Sequence, residues 1–418
     1  IILNMESSAL ITDLYELTMA QSYLEHGKTG KAVFSLFVRR LPENRNFLVA
    51  CGLETLMKSL ENFKFGDREL KYLKSLGIFK DWFLDYLREL ELDLEFYALE
   101  EGTIFFQNEP ILQVEGPLPK AQLIETLVIN LIHFETLIAS KAVRNYIAAK
   151  GKTLVDFGLR RAHSPMAGLL SARACYIGGF SGTSNLQAGM LYGIPVFGTM
   201  AHSYIMVFDQ EEEAFRAFAK SFPDRVFLLI DTYNTVEGAK KALKLLKEGI
   251  KVLGVRIDSG DIPELCREVR RIFDQEGFKD VKILVSGGVD EYDIERWVSE
   301  GVPIDAFGVG TKLLTSADAP YLDIAYKLVE YEGKPKFKES PGKKTFPYKR
   351  QVWRFLKDGK FDYDKVSRFQ EGGLVKRVRF PLPSLKEIRE KVLEQINQLP
   401  EELKSLRKKV EYRVEVDE

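Results

Sequence analysis

Residues 251–290 read KVLGVRIDSGDIPELCREVRRIFDQEGFKDVKILVSGGVD, and the order of their parts decides the fold. A short β-branched run, Val252–Ile257, gives way to polar Asp258-Ser259-Gly260-Asp261. An amphipathic stretch, Ile262–Glu276, follows, and a second apolar run, Val281–Val285, ends in Ser286-Gly287-Gly288-Val289-Asp290. Runs this short and this rich in Val and Ile suit strands buried on both faces. Two of them joined through a helix-length stretch predict a parallel crossover unit.

Outward from this unit the same alternation repeats. Further apolar runs lie at Thr153–Phe157, Ile177–Phe180, Ile194–Phe197, Val226–Ile230 and Ala306–Val309, with helical stretches such as Pro165–Cys175, Glu211–Phe218, Thr235–Glu248 and Tyr292–Glu300 between most of them. The pattern predicts an irregular (β/α) barrel over 151–330. The runs end in DFGLRR, SGTSN, GTMAHS, DTYN, RIDSGD, SGGVD and GVGTK, all polar or glycine-rich. Strand ends of that kind converge on one face of a barrel, the face that carries chemistry.

The flanks read differently. Residues 1–150 mix helices (one from Leu14, with Asp13 and Glu16 at capping-box spacing, then Leu53–Phe63, Trp82–Leu90 and Pro119–Ala149) with strands at 32–38, 94–98 and 103–115. Residues 331–418 predict hairpins, one turning at Asp358-Gly359, and a final charged helical region over 384–409. These flanks are expected to form a second α/β domain, with 331–418 packing on 1–150.

Composition narrows the class. Hydrophobic residues make up 45% and charged residues 29% of 418, as in globular chains. Sixty basic against sixty-one acidic side chains give a net charge of −1, so no global field draws nucleic acid or an anionic membrane. The longest apolar stretch, 123–143, carries Glu125, His133, Glu135 and Lys141 and predicts a buried helix rather than a span. Ile1–Met5 lacks the basic start and apolar core of a signal peptide, and Cys51, Cys175 and Cys266 are too scattered for a disulfide framework. A cytoplasmic protein is expected, with no zinc.

Several strand-end residues have chemistry to offer. Glycine pairs at Gly287-Gly288 and Gly308-Gly310 let backbone N–H groups approach an anion, and the last strand loops of a barrel are where phosphate sits. Arg256 and Asp258 fall on one side of their strand, either as an ion pair or as ligand-holding groups, the arginine for an anion and the aspartate for a ribose hydroxyl or a metal. Arg160, Arg161, His163 and, further on, Arg173 form a cationic patch suited to phosphate or carboxylate. His202 lies between a strand and a helix, with general base, phosphate ligand and phosphoryl acceptor as its possible roles. His133, on an apolar helix, reads as a core histidine. Neither a Ser-His-Asp order nor a first-strand Gly-x-Gly-x-x-Gly is present, which disfavours hydrolase and dinucleotide oxidoreductase chemistry.

Taken in order, Thr12-Asp13-Leu14-Tyr15, Asp156-Phe157-Gly158 with Arg160 and Arg161, Gly198-Thr199-Met200-Ala201-His202-Ser203, Val255 to Asp261 and Gly308-Val309-Gly310-Thr311 resemble the nicotinate phosphoribosyltransferase family over roughly residues 6–355. The resemblance implies ATP-assisted condensation of nicotinate with phosphoribosyl pyrophosphate to nicotinate mononucleotide and pyrophosphate, on an irregular barrel beside an α/β domain built from both chain ends. It implies His202 as the histidine that ATP phosphorylates, with Asp231 orienting its ring, and Asp258 as a catalytic carboxylate and Mg²⁺ ligand. Tyr15, Phe157, Thr199 and Arg256 would hold nicotinate, Tyr15 reaching in from a second subunit of a homodimer or higher homo-oligomer. Arg160, Arg161, His163, Ser259, Gly287, Gly288, Gly308, Gly310 and Thr311 would hold the phosphoribosyl and pyrophosphate groups.

Ser184 stands where nicotinamide-using relatives place an acid, which favours a carboxylate substrate. The chain departs from the family at 340–354, where Pro347 is followed by Tyr348 instead of glycine, and with no cysteine after Cys266 the C-terminal cysteine module of some relatives is not expected. The alternatives are a decarboxylating quinolinate phosphoribosyltransferase, which has no use for a phosphorylatable histidine, and a non-catalytic nucleotide-binding regulator, which has no use for His202 and Asp231.

Overall fold

Six parallel strands between residues 153 and 309 build the sheet that carries the site, in the order Gly182–Thr183, Thr153–Asp156, Ala306–Val309, Lys282–Val285, Val252–Ile257, Val226–Leu229. The structure, a computed structural model, describes residues 7–341 and 345–417; the opening Ile1–Met5 and residues 342–344 of the departing 340–354 stretch lie outside the described residues. Leu154, Val155, Val255, Ile257, Leu228, Leu229, Ile283, Leu284 and Val285 are all buried, as expected of a parallel sheet with both faces covered.

This sheet is a half-barrel rather than the expected barrel, because its edge strands, Gly182–Thr183 and Val226–Leu229, do not pair with each other. Two of the expected strands account for the gap. Ile177 closes the helix Pro165–Ile177, whose start is fixed by Pro165 and by the Ser164 hydroxyl accepting from Ala167 N–H, so 177–180 is a helix end and a turn. Residues 194–197 contain Pro195, which has no N–H for a ladder, and they contribute one isolated bridge, Thr183 to Val196.

Two compact units are present, Lys141–Asp318 and a unit formed by Ile1–Ser140 with Ala319–Glu418. In the latter, six strands pair in the order Lys334–Pro335, Ile324–Tyr331, Lys31–Val38, Leu112–Pro117, Glu95–Leu99, Val375–Arg377, every pair antiparallel. Residues 324–330, expected with the parallel strands, thus pair with Lys31–Val38 instead. The strands Arg350–Lys357 and Lys360–Arg368 form the expected hairpin; Asp358 and Gly359 both take positive φ (53° and 76°), as a type I′ turn requires. In the departing loop, Tyr348 has φ +69°, and the Arg368 guanidinium lies 3.8 Å from its ring centroid.

The helix Leu14–Glu25 begins without the expected capping box. Asp13 makes no cap bond, and its carboxylate accepts from the Thr126 hydroxyl at 2.6 Å. The helix Glu125–Ala149 is long and apolar enough to cross a membrane, but 72% of its most apolar window is buried within the protein. Its charged Lys141 is 2% exposed and paired with Glu291 at 2.7 Å and Asp318 at 2.9 Å. His133, expected in the core, is only half-buried, its Nε2 accepting from Leu322 N–H at 2.8 Å.

Candidate active site

The polar strand ends share one edge of the parallel sheet because the register aligns them. Arg256 stands opposite Leu229, Val285 opposite Ile257, Val309 opposite Asp156, and Asp156 opposite Thr183. Asp231, Asp258, Ser286, Gly310, Phe157 and Ser184 therefore leave the sheet together at its carboxyl edge, where open α/β sheets bind ligands.

His202 opens the short helix His202–Val207 and is 39% exposed at its side chain. Its Nδ1 lies 3.0 Å from the Thr232 hydroxyl, and its Nε2 faces two carboxylates, Asp258 Oδ2 at 3.7 Å and Asp231 Oδ1 at 4.0 Å. The ring is thus oriented by Thr232, while Asp231, expected in that role, stands beyond hydrogen-bond distance. Asp231 instead braces the neighbouring loop: its Oδ2 accepts from the Asp258 backbone N–H and from the Ser259 hydroxyl, both at 2.8 Å. Its Oδ1 is buried and accepts no hydrogen bond. Asp258 is held in turn, Oδ1 accepting from the Ser286 hydroxyl at 2.7 Å.

Glycine is required next to this cluster. Gly287 has φ +89°, and a Cβ there would sit 2.1 Å from the Asp258 carbonyl oxygen. Gly288 also has positive φ (68°), so successive backbone groups turn in a conformation open to few other residues.

Arg256 projects to the same edge. Its terminal nitrogen donates to the Met200 carbonyl at 2.5 Å, its buried Nε has no hydrogen-bond partner, and it makes no ion pair with Asp258. Burial pushes its guanidinium down, partly offset by the Asp258 and Asp231 charges, and Arg160 pushes in the same direction as burial. Such a cation, half dehydrated and with an unused donor, suits a carboxylate ligand.

An aromatic wall begins at the end of the strand Thr153–Asp156. The Phe157 and Phe197 rings lie nearly parallel (13°) with centroids 6.4 Å apart, and Phe157 packs so close to Gly308 that a Cβ there would meet its ring at 2.2 Å. Asp156, beneath them, accepts from Gly158 N–H and from the Thr183 hydroxyl, each at 2.8 Å; burial raises its carboxyl to about 6.

The cations divide into groups. Arg161, on the turn Leu159–Arg161, donates to the Thr311 hydroxyl at 3.3 Å, joining two expected phosphate residues, while Gly310 packs on the Phe157 carbonyl. Arg160 and His163 are exposed, and Lys312 is bonded to Asp290 at 3.2 Å. Arg173 is buried, outside any solvated patch. Thr199 is half-buried beside Met200. Tyr15 belongs to the other unit, where its hydroxyl donates to Glu125 at 2.9 Å, and burial with that carboxylate pushes the phenol up.

The sequence assigned no role to Thr232, Ser286, Thr183 or Phe197. Each lies in or next to one of the quoted strand-end stretches, and their hydroxyls and ring were the available signal. Among the described residues, no three His, Cys, Asp or Glu side chains are grouped as metal ligands.

The family model for the nicotinate phosphoribosyltransferase (NAPRTase) N-terminal domain matches residues 10–133, and that for the NAPRTase family matches residues 152–361. A nicotinate phosphoribosyltransferase of Mycobacterium tuberculosis is 44% identical over 412 residues, covering 95% of this chain and 89% of the relative. Among solved structures, that of human nicotinic acid phosphoribosyltransferase superimposes with a TM-score of 0.87 at 29% identity, covering 97% of this chain and 98% of that one. A nicotinate-nucleotide pyrophosphorylase from Pyrococcus furiosus gives 0.77 at 28% identity, covering 94% and 96%.

Proposed function

The chain belongs to the nicotinate phosphoribosyltransferase family, and from that premise we propose that it joins nicotinate to phosphoribosyl pyrophosphate, yielding nicotinate mononucleotide and pyrophosphate for NAD salvage, with ATP phosphorylating His202. The observation that carries the finer part is the setting of the His202 ring. With Nδ1 held at Thr232 and its proton donated to that hydroxyl, Nε2 keeps its lone pair and faces the open edge. Attack by Nε2 on the terminal phosphorus of ATP breaks the bond to the bridging oxygen, and ADP leaves with the electron pair. The phosphohistidine later loses its phosphoryl group to water.

In ribosyl transfer, the pyridine nitrogen bonds to the anomeric carbon as the bond to pyrophosphate breaks. The protein's task is to hold the two reactants and to stabilise separating charge. Arg256 takes the nicotinate carboxylate, Phe157 and Thr199 border the ring, and Tyr15 completes the pocket from a second subunit of a homodimer or larger homo-oligomer. Arg160, Arg161, His163, Ser259, Thr311 and the backbone of Gly287, Gly288, Gly308 and Gly310 receive the phosphates. Asp231 Oδ1, buried without a hydrogen bond, and Asp258 Oδ2 are oxygen donors suited to Mg²⁺ together with substrate oxygens, and the ion would neutralise leaving-group charge. Ser184 adds no negative charge, so a carboxylate substrate is not repelled. A cytoplasmic setting fits these soluble substrates.

Nicotinate, nicotinamide and quinolinate, offered in parallel with phosphoribosyl pyrophosphate and with or without ATP, test this function. Nicotinate mononucleotide should form from nicotinate, faster with ATP. Product from quinolinate alone would favour the decarboxylating reaction, and no product at all a binding regulator.

A further inference from the structure

Asp156 and Thr183 take no part in the chemistry above, yet they are buried side by side at the strand ends. Asp156 holds Gly158 N–H with one oxygen and the Thr183 hydroxyl with the other, and that hydroxyl accepts in turn from Asn185 N–H at 3.1 Å. Main-chain bonds extend the unit on both sides. Ser184 N–H donates to the Asp156 carbonyl at 2.9 Å, Thr183 N–H to the Pro195 carbonyl at 3.0 Å, and Phe197 N–H to the Thr183 carbonyl at 3.0 Å.

The buried side-chain pair ties the segment that starts with Phe157 to the one that holds Ser184, and the Thr183 main chain bonds that one to the segment that holds Phe197. The rings of Phe157 and Phe197 project from the two ends of this tie, nearly parallel, with Gly308 under the first and Phe227 edge-on (83°) to the second at 5.3 Å. Aromatic recognition depends on ring placement to a fraction of an ångström, and buried polar networks hold such placements when every member is satisfied.

We infer that Asp156 and Thr183 are a positioning pair that sets the Phe157 and Phe197 rings for the flat pyridine substrate, and that Phe197 is a further recognition residue for it. The inference rests on the assignment of nicotinate to this wall. Thr183→Val removes the hydroxyl at constant shape, leaving an Asp156 oxygen and Asn185 N–H unpaired; Thr183→Ser keeps the hydroxyl. Phe197→Leu removes the ring without touching the tie.

Steady-state kinetics on the purified full chain provide the test, with circular dichroism to confirm folding. Thr183→Val and Phe197→Leu should each raise KM for nicotinate about tenfold, with kcat and KM for phosphoribosyl pyrophosphate within about twofold, and Thr183→Ser should restore the wild-type value. A folded Thr183→Val or Phe197→Leu with unchanged nicotinate KM, or one that lowers kcat alone, overturns the positioning role. If the wild-type protein does not turn over nicotinate, the functional assignment falls and this inference falls with it.

Discussion

The Nδ1 of His202 lies 3.0 Å from the Thr232 hydroxyl, leaving Nε2 as the nitrogen that faces Asp258 and the open edge of the sheet. A threonine one residue beyond the strand-end aspartate decides which nitrogen is available. Thr232→Val should therefore cut the ATP-stimulated rate by roughly 10-fold or more while sparing the basal rate without ATP, and Thr232→Ser should recover it. Equal loss of both rates would assign Thr232 a purely structural role.

Arg256 tests the carboxylate assignment. Lysine keeps the charge but loses the planar fork and the bond to the Met200 carbonyl. Arg256→Lys should raise nicotinate KM by about 2 kcal/mol, near 30-fold, with smaller effects on phosphoribosyl pyrophosphate. Isothermal titration with nicotinate checks the same loss without turnover.

Gly287 is constrained twice, by φ +89° and by the Asp258 carbonyl 2.1 Å from any Cβ. Gly287→Ala must shift the backbone that holds Asp258, at a cost of roughly 1–3 kcal/mol. A fall in melting temperature together with reduced turnover is expected. An alanine variant with wild-type melting and rate contradicts the close approach.

Asp156 makes stability depend on pH. Its carboxyl is raised from 3.8 to about 6 by burial, so the folded protein favours the neutral form. The associated stability is full below about pH 4 and is lost as pH rises through 6, a total of about 3 kcal/mol. Asp156→Asn cannot ionise, so the difference in unfolding free energy between wild type and variant should change with pH only across that window. A difference that is flat from pH 4 to 7 would rule out the buried charge.

How much was legible in the sequence follows from where periodicity applies. The run Val252–Ile257 is a strand as read and Val281–Val285 is one from Lys282, because β-branched residues buried on both faces leave a continuous apolar signature. Residues 194–197 carry the same signature but fail, since Pro195 withholds the N–H that a ladder needs. Within the site, His202, Arg256 and Asp258 stood out as polar groups at strand ends. Thr232 and Thr183 did not, because which hydroxyl meets which ring or carboxylate depends on the turn after the strand, where no repeat governs side-chain direction.

The most direct test of the account is whether ATP phosphorylates His202. Protein incubated with γ-labelled ATP and Mg²⁺, then quenched in base, should carry an acid-labile, base-stable phosphate that peptide mass spectrometry places on His202 and that His202→Ala lacks. Equal labelling of the alanine variant, or no label on a wild-type protein whose turnover ATP accelerates, contradicts it.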